Sequence, residues 1–129
     1  MIAVDTNVVV RLLVGDDPEQ ARRATDLFAR EPEIFIAKTV VLETAWVLQS
    51  VYGFSRPVVA EAVQCLAGLP NVVVEDAKQL ARALDLIERG IDVADALHLA
   101  ASPDGAAFHT FDTRLIRRGV EQGLPVIEP

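Results

Sequence analysis

The hydrophobic pattern of the chain alternates between two kinds of segment. Short runs of three to five mostly apolar residues are typical of strands, and the uncharged run at residues 2–4 suits a parallel strand buried on both faces. Longer stretches with apolar residues at every third or fourth position are typical of amphipathic helices. We predict strands at residues 2–4, 34–37, 72–74, 107–111 and 125–127, and helices at residues 6–13, 18–30, 39–52, 55–68, 76–90, 92–101 and 112–118.

Residues with strong capping or helix-breaking preferences mark the ends of these helices. Pro18 suits the first turn of the second helix, and Gly53 and Gly119 are expected to end the third and the last helix. Asp76 and Asp92 each open a helix, because aspartate is a favoured N-cap residue. For Asp76 we expect no role beyond that cap.

Strands that alternate with helices are typical of the α/β class. The pattern therefore predicts a single domain over residues 1–129, with a short parallel β-sheet flanked by helices on both faces. Two consecutive helices between residues 39 and 68 depart from the alternation and are expected to protrude as a helical hairpin. A length of 129 residues and a hydrophobic content of 51% suffice for one buried core.

Composition limits the compartment and the partners. Asp5 and Arg11 interrupt the N-terminal apolar run, and no window approaches the roughly 18 apolar residues of a membrane span. We therefore expect a cytoplasmic protein that does not associate with membranes.

Cys65 is the only cysteine and lies in an apolar helical run, which predicts a small core residue. The net charge of -7 argues at first against a polyanionic partner such as nucleic acid.

Four acidic residues lie where a functional site or a buried position is expected. In open α/β sheets the site lies at the carboxyl ends of the strands, and Asp5 and Asp112 each mark a junction from strand to helix. Asp95 lies in the first turn of the helix that opens at Asp92. Glu43 has apolar neighbours three and four positions away, so we expect it to interrupt a buried helical face.

Each of these acids also has a purely structural interpretation. Asp5 and Asp112 could be plain helix caps, which contribute about 1 kcal/mol each. Asp92 and Asp95 could form a capping box. Glu43 could belong to a structural salt bridge, since an unpaired buried carboxylate costs several kcal/mol.

Taken together, the acids favour a metal site. Their carboxylates would repel one another if the fold brought them together, and a hard divalent cation is the usual remedy. Helix N-termini would also help to keep the aspartates ionised. With two histidines and no CxxC pair, zinc is disfavoured, so we expect Mg²⁺ or Mn²⁺.

Other chemistries lack their motifs. There is no glycine-rich phosphate loop and no GxSxG turn. His98 and His109 have no evident nucleophile partner and are expected to pack or to support the site. A phosphoacceptor receiver domain would need an acidic pair at the first strand and a late lysine, but Asp5 has no acidic neighbour and the last lysine is Lys78.

Four stretches of the chain carry a resemblance to a known family. They are Ile-Ala-Val-Asp-Thr-Asn at residues 2–7, Glu-Thr-Ala at 43–45, Asp-Val-Ala-Asp-Ala-Leu-His at 92–98 and Thr-Phe-Asp at 110–112. With these motifs in this order over the whole chain, the sequence resembles the PIN-domain ribonucleases. It is similar in particular to the VapC-like toxins of bacterial and archaeal toxin–antitoxin pairs.

The resemblance implies a PIN-like fold and a metal-dependent endoribonuclease that leaves 5′-phosphate and 3′-hydroxyl ends. One or two Mg²⁺ or Mn²⁺ ions would activate a water for in-line attack on phosphorus. The motif positions of the catalytic and metal-binding acids correspond to Asp5, Glu43, Asp95 and Asp112, with Asp92 as an additional metal ligand. The motif residues expected to support these carboxylates are Thr6, Asn7 and Thr110.

The route of the RNA backbone is left open by the sequence. Such toxins often continue with basic residues after the third motif, whereas this chain has an acidic, turn-like segment at residues 102–105. Five basic residues close to the motifs are candidate phosphate contacts: Arg11, Lys38, Arg114, Arg117 and Arg118. For each of them, a solvated surface charge is the alternative interpretation.

The resemblance also implies a homodimer and a cognate antitoxin protein whose inhibitory tail covers the site. The helical hairpin carries four large apolar or aromatic residues, here called the hairpin cluster: Trp46, Val51, Tyr52 and Phe54. This cluster could receive an amphipathic helix of the antitoxin. It could equally close the core, where large apolar side chains are usually found.

An alternative function is a non-catalytic PIN-like module that binds RNA or protein, although four intact acids count against it. Five acids gathered in one pocket also change the meaning of the net charge of -7. The acidity then no longer excludes an RNA substrate. We expect RNA to bind poorly without metal, with the ions rather than a basic face as the main bridge to phosphate.

Overall fold

The computed structural model describes residues 1–129 and contains five strands and seven helices. The strands are β1 (Ile2–Ala3), β2 (Ile34–Ile36), β3 (Val72–Val74), β4 (Phe108–His109) and β5 (Val126–Ile127). The helices are α1 (Thr6–Leu13), α2 (Pro18–Arg30), α3 (Lys38–Ser50), α4 (Arg56–Ala67), α5 (Ala77–Glu88), α6 (Val93–Ala101) and α7 (Thr113–Glu121). The chain divides into two compact units, Met1–Ala77 and Lys78–Pro129, which are described in turn.

The first unit is built on a parallel sheet with the strand order β1-β2-β3. Ile34 of the central strand pairs with Ile2 on one side and with Val72 on the other. Ile34 and Ile36 have no exposed surface, so β2 lies in the core of this unit. Strand β1 lies at the sheet edge with Ala3 exposed, which corrects the prediction that it is buried on both faces.

The helices of the first unit begin at positions set by both local and distant contacts. Helix α2 begins at Pro18 because Asp17 accepts a hydrogen bond from the backbone nitrogen of Gln20 at 3.1 Å, a typical N-cap. Helix α3 follows Ala37, which has no capping side chain, and Glu75 Oε1 accepts from the Lys38 backbone nitrogen at 2.9 Å instead. Helix α1 packs against α2 and α3, and α3 packs against α4 as the predicted hairpin.

The second unit combines three helices with a two-stranded parallel sheet. Phe108 of β4 pairs with Val126 of β5, and α7 packs against β5. Gly119 allows this close packing, because a Cβ atom built on it would lie 2.8 Å from the Cβ atom of Val126. The glycine therefore lies inside α7, which continues to Glu121, and the prediction that Gly119 ends the helix is wrong.

The predicted fold class is confirmed, and two further residue predictions are corrected. Cys65 is exposed because α4 buries the stripe formed by Val59, Val63 and Leu66, which leaves Cys65 on another face. Asp76 adopts a φ of 52°, and its carboxylate forms an ion pair with Lys38. Its role is therefore more than that of a helix cap. None of the seven helices combines the length and the apolar character needed to cross a membrane.

Candidate functional site

Asp5 connects β1 to α1 in the first unit. It is the N-cap of α1, and its Oδ1 accepts a hydrogen bond from the Thr6 backbone nitrogen at 2.7 Å. Thr6 is buried, so this end of the helix is firmly anchored, whereas the Asp5 side chain is exposed and its Oδ2 has no partner. Asp5 is thus a helix cap that keeps one carboxylate oxygen available for a ligand.

Glu43 lies in α3, and its surroundings differ from the prediction. The buried stripe of α3 consists of Val41, Thr44, Ala45 and Leu48, at the spacing of a helix face. Glu43 lies off this stripe and is exposed, so the prediction that it interrupts a buried face is wrong. It also forms no ion pair, so the structural salt bridge is absent as well.

Three acids come together in the second unit. Asp92, Asp95 and Asp112 line one small pocket with a volume of about 40 Å³, here called the acidic pocket. That volume exceeds the roughly 10–15 Å³ that a single water needs, so the pocket can hold an ion or a water. Asp92 and Asp95 are carried by the start of α6 and Asp112 by the start of α7, so two helix N-termini contribute to the pocket.

The three carboxylates differ in what they already bind. Asp112 caps α7, and its Oδ1 accepts from the backbone nitrogens of Arg114 at 2.9 Å and Leu115 at 3.2 Å, while its Oδ2 has no partner. Asp92 occupies the N-cap position of α6 but makes no capping hydrogen bond there. Asp95 is half-buried and makes no hydrogen bond or ion pair. The predicted capping box is therefore absent.

The electrostatics of the acidic pocket are unfavourable for a negative charge on Asp95. Burial raises the pKa of Asp95 above its ordinary value, and the negative charges of Asp112 and then Asp92 raise it further. His98, one turn further along α6, acts in the opposite direction. A cation bound among these carboxylates would relieve the repulsion and favour the ionised form.

The donor set fits a hard divalent cation. All three side chains offer carboxylate oxygens, which Mg²⁺ and Mn²⁺ prefer, and no histidine or thiol lines the pocket. No three His, Cys, Asp or Glu side chains close on one point as a full protein cage would. Mg²⁺ does not need such a cage, because it keeps several waters and is usually held by one or two carboxylates.

Two of the predicted phosphate contacts lie on the rim of the acidic pocket. Arg114 and Arg118 both line it, yet neither forms an ion pair with a carboxylate. Arg118 Nη1 donates instead to the backbone oxygen of Gly90. The Arg114 guanidinium makes no hydrogen bond or ion pair, although the backbone nitrogen of the same residue donates to Asp112.

Thr110 holds the turn that presents Asp112. Its Oγ1 accepts from the Asp112 backbone nitrogen at 3.0 Å, and its own backbone nitrogen donates to Ile127 of β5 at 3.0 Å. The carboxylate of Asp112 is thereby tied both to the sheet and to α7. This contact is consistent with the supporting role expected for Thr110.

Comparison with known proteins identifies the family. Residues 2–121 match the family model of the PIN domain. The chain belongs to the PIN domain family. Among solved structures, one match is the crystal structure of Mycobacterium tuberculosis VapC20, a Sarcin-Ricin loop cleaving toxin. The two sequences are 21% identical, and the match covers 96% of this chain and 85% of that chain with a TM-score of 0.47. No curated protein matches the sequence.

The predicted phosphate contacts of this PIN domain divide into two groups. Arg11 is held in place by Asp16 Oδ1 at 2.8 Å, Gln20 Oε1 at 2.8 Å and the Tyr52 hydroxyl at 3.2 Å. Lys38 Nζ pairs with Asp76 Oδ2 at 2.7 Å, a hydrogen bond that raises the pKa of the lysine. In the second unit, Arg117 is exposed, and Arg114 and Arg118 line the acidic pocket.

The hairpin cluster of the PIN domain lies mostly on the surface. Trp46 is 60% exposed and Val51 is 65% exposed, and Phe54 is also exposed. The interpretation that they close the core is therefore wrong for these three residues. Tyr52 is half-buried, stacks on Phe54 with ring centroids 6.0 Å apart, and donates its hydroxyl hydrogen to Asp16 Oδ2 at 2.7 Å. That hydrogen bond, followed by the charge of Arg11, lowers the pKa of Asp16.

Proposed function

We propose that this PIN domain is a metal-dependent endoribonuclease that hydrolyses RNA phosphodiester bonds. The observation that carries the proposal is the acidic pocket, in which the half-buried Asp95 carboxylate has no partner and is crowded by Asp92 and Asp112. An acid held in this way destabilises the protein unless it serves a ligand. Membership of the PIN family and the four matched motifs support the same interpretation.

The residues of this chain would divide the chemistry between them. Asp95 and Oδ2 of Asp112 would hold the cation, and Thr110 would keep Asp112 in place through its hydrogen bond to the backbone. A bound Mg²⁺ or Mn²⁺ activates water for attack on phosphorus and stabilises charge on the leaving oxygen. Asp5 and Glu43 also belong to the acidic set proposed from the motifs, and in the first unit both are exposed with an unpartnered carboxylate oxygen.

The test is an RNA-cleavage assay with a mixture of transfer and ribosomal RNA in the presence of Mg²⁺ or Mn²⁺. Metal catalysis supplies several kcal/mol, so Asp5→Asn and Asp95→Asn should each lower cleavage at least about 100-fold. Asp104→Asn is the matched control, because the Asp104 side chain is 95% exposed and lies outside the acidic pocket. Binding of Mn²⁺, followed through the rise in melting temperature, provides a readout independent of activity.

The results separate the proposed function from its alternative. Cleavage that survives both substitutions, or persists with excess chelator, would contradict the catalytic assignment. RNA binding without cleavage by the wild type, under every metal condition, would favour the non-catalytic PIN-like module instead.

We also propose that the protein is the toxin of a toxin–antitoxin pair, acts in the cytoplasm as a homodimer, and binds its antitoxin through the hairpin cluster. The exposure of Trp46, Val51 and Phe54 supports an interface there, because clustered exposed apolar side chains favour partner binding. Trp46→Ala should weaken antitoxin binding at least tenfold. Tryptophans that a partner buries at an interface are frequent hot spots worth about 2 kcal/mol or more. Val120→Ala, at an exposed apolar site on α7, is the control, and light scattering measures the dimer.

A further inference from the structure

A second charged surface lies in the first unit, in the groove between α1 and α2. The groove has a volume of about 730 Å³, within the range of pockets that hold ligands of nucleotide size. Four arginines line it, Arg11, Arg22, Arg23 and Arg30, with Asp26 as the single acid. A third of the basic residues of a chain with a net charge of -7 are thus gathered along one groove.

We propose that this surface, the arginine groove, binds the phosphate backbone of single-stranded RNA. The proposal rests on the proposed function, since it assigns the route of the substrate strand. The guanidinium group presents donors in a planar fork that matches the oxygens of a phosphate. Local potential rather than net charge governs such binding, so an acidic chain can still attract a polyanion at a basic groove.

The arginines along α2 are available for a phosphate. Arg23 makes no hydrogen bond or ion pair. Arg22 pairs with Asp26 at 3.1 Å, and Arg30 pairs with Glu31 at 3.6 Å, and both arginine side chains are more than 60% exposed. Exposed pairs of this kind contribute at most about 1 kcal/mol, so a phosphate can replace the carboxylate.

The spacing along α2 suits an extended strand rather than one isolated anion. Arg23 and Arg30 are seven residues apart on one side of the helix, which corresponds to about 10.5 Å along its axis. They can therefore contact separate phosphates. Asn7 also lines the groove and lies two residues after Asp5, so the groove is continuous with the segment that carries a proposed catalytic acid.

The lining favours RNA over an acidic polypeptide. The apolar residues in the groove are Val8, Ala24 and Leu27, and no aromatic side chain lines it. Protein interfaces depend strongly on buried aromatic anchors such as tryptophan and tyrosine, which this groove does not offer. Its charges instead lie along its length, as a polyphosphate chain requires.

The experiment compares the double variant Arg23→Gln/Arg30→Gln with Arg82→Gln/Arg89→Gln, which removes the same charge from exposed arginines outside the groove, one on α5 and one directly after it. The probe is a fluorescein-labelled 20-nucleotide oligouridylate, followed by anisotropy between 50 and 300 mM salt in an Asp95→Asn background that spares the RNA. Loss of two phosphate contacts should weaken binding about tenfold or more at 50 mM salt. It should also reduce the slope of log affinity against log salt by about 1.4. The control variant should keep the slope.

The outcomes distinguish this inference from the proposed function. If the wild type cleaves RNA but both double variants bind the oligonucleotide alike, the arginine groove is not the RNA route and only this inference fails. If the groove variant keeps its RNA affinity but loses binding to polyglutamate, the groove serves an acidic protein and the inference is again wrong. If the wild type neither binds nor cleaves RNA, both proposals fail together.

Discussion

Removal of the negative charge of Asp95 should stabilise the metal-free protein. The pKa of Asp95 is raised although the residue lies in the first turn of α6, where the helix dipole favours an anion, so burial and repulsion by Asp112 and Asp92 prevail. Because the side chain is only half-buried, solvent screening reduces the gain. We expect Asp95→Asn to raise the free energy of unfolding by about 0.5–1 kcal/mol at neutral pH, or roughly 2–4 °C in melting temperature.

The change of stability with pH tests the direction of this effect. A carboxyl group whose pKa is higher in the folded than in the unfolded state binds more protons when folded within the interval between the two values. The wild type should therefore lose stability as the pH rises from about 4 through the raised pKa of Asp95. Asp95→Asn lacks this loss, so the two melting temperatures should converge toward pH 4 and differ most at neutral pH.

Metal should reverse the order of stability. Thermal unfolding is measured from pH 4 to 7.5 with chelator and then with Mg²⁺ or Mn²⁺. Binding to the folded state alone stabilises the wild type, by about 2.7 kcal/mol at one hundred times the dissociation constant, and Asp95→Asn should lose most of that gain. Asp104→Asn, in an exposed turn, should behave like the wild type throughout. A metal-free Asp95→Asn protein that melts below the wild type at neutral pH would refute the reasoning.

Two further predictions concern packing, and both are read from thermal or urea unfolding. Gly119→Ala should destabilise the protein by about 1–3 kcal/mol, because the added Cβ atom would meet Val126 at 2.8 Å and this overlap outweighs the better helix propensity of alanine. Gly15→Ala is its control and should be neutral or slightly stabilising, since nothing lies within 4 Å of the new methyl group. Thr44→Val should stabilise the protein by about 1 kcal/mol, because Thr44 Oγ1 is buried without a hydrogen-bond partner. A loss of stability in this variant would show that the hydroxyl does form a hydrogen bond.

Local signals explain which parts of the fold were predictable. Helix α1 has the predicted bounds, and α2 begins at Pro18 as predicted, because the residues before them, Asp5 and Asp17, cap by interactions within the same few residues. The C-terminal end of α7 was harder to predict, because the role of Gly119 depends on Val126, which lies in β5. Short-range chemistry is visible in one sequence, whereas contacts between distant segments are not.

The acids of the site show the same division. Asp92, Asp95 and Asp112 line one pocket because each lies at the start of a helix. The strand-end rule applies only to Asp112 among them, since α6 follows α5 without a strand between them. The burial of Glu43 was mispredicted, because apolar neighbours at helical spacing do not reveal which face of α3 meets the core. The pairing of Lys38 with Asp76 likewise joins segments that no local pattern connects.

The net charge of -7 conceals two surfaces of opposite sign. The acidic pocket of the second unit collects three carboxylates, while the arginine groove of the first unit collects four guanidinium groups and one carboxylate. At physiological salt, charges interact over about 8 Å, so a passing phosphate responds to the nearest cluster and not to the sum over the chain. Under the two proposals, a divalent ion in the acidic pocket is needed for the reaction, whereas the arginine groove contributes RNA binding that needs no metal. It follows that chelation should abolish cleavage while leaving a salt-sensitive part of RNA binding intact, which departs from the expectation drawn from the sequence that RNA binds poorly without metal.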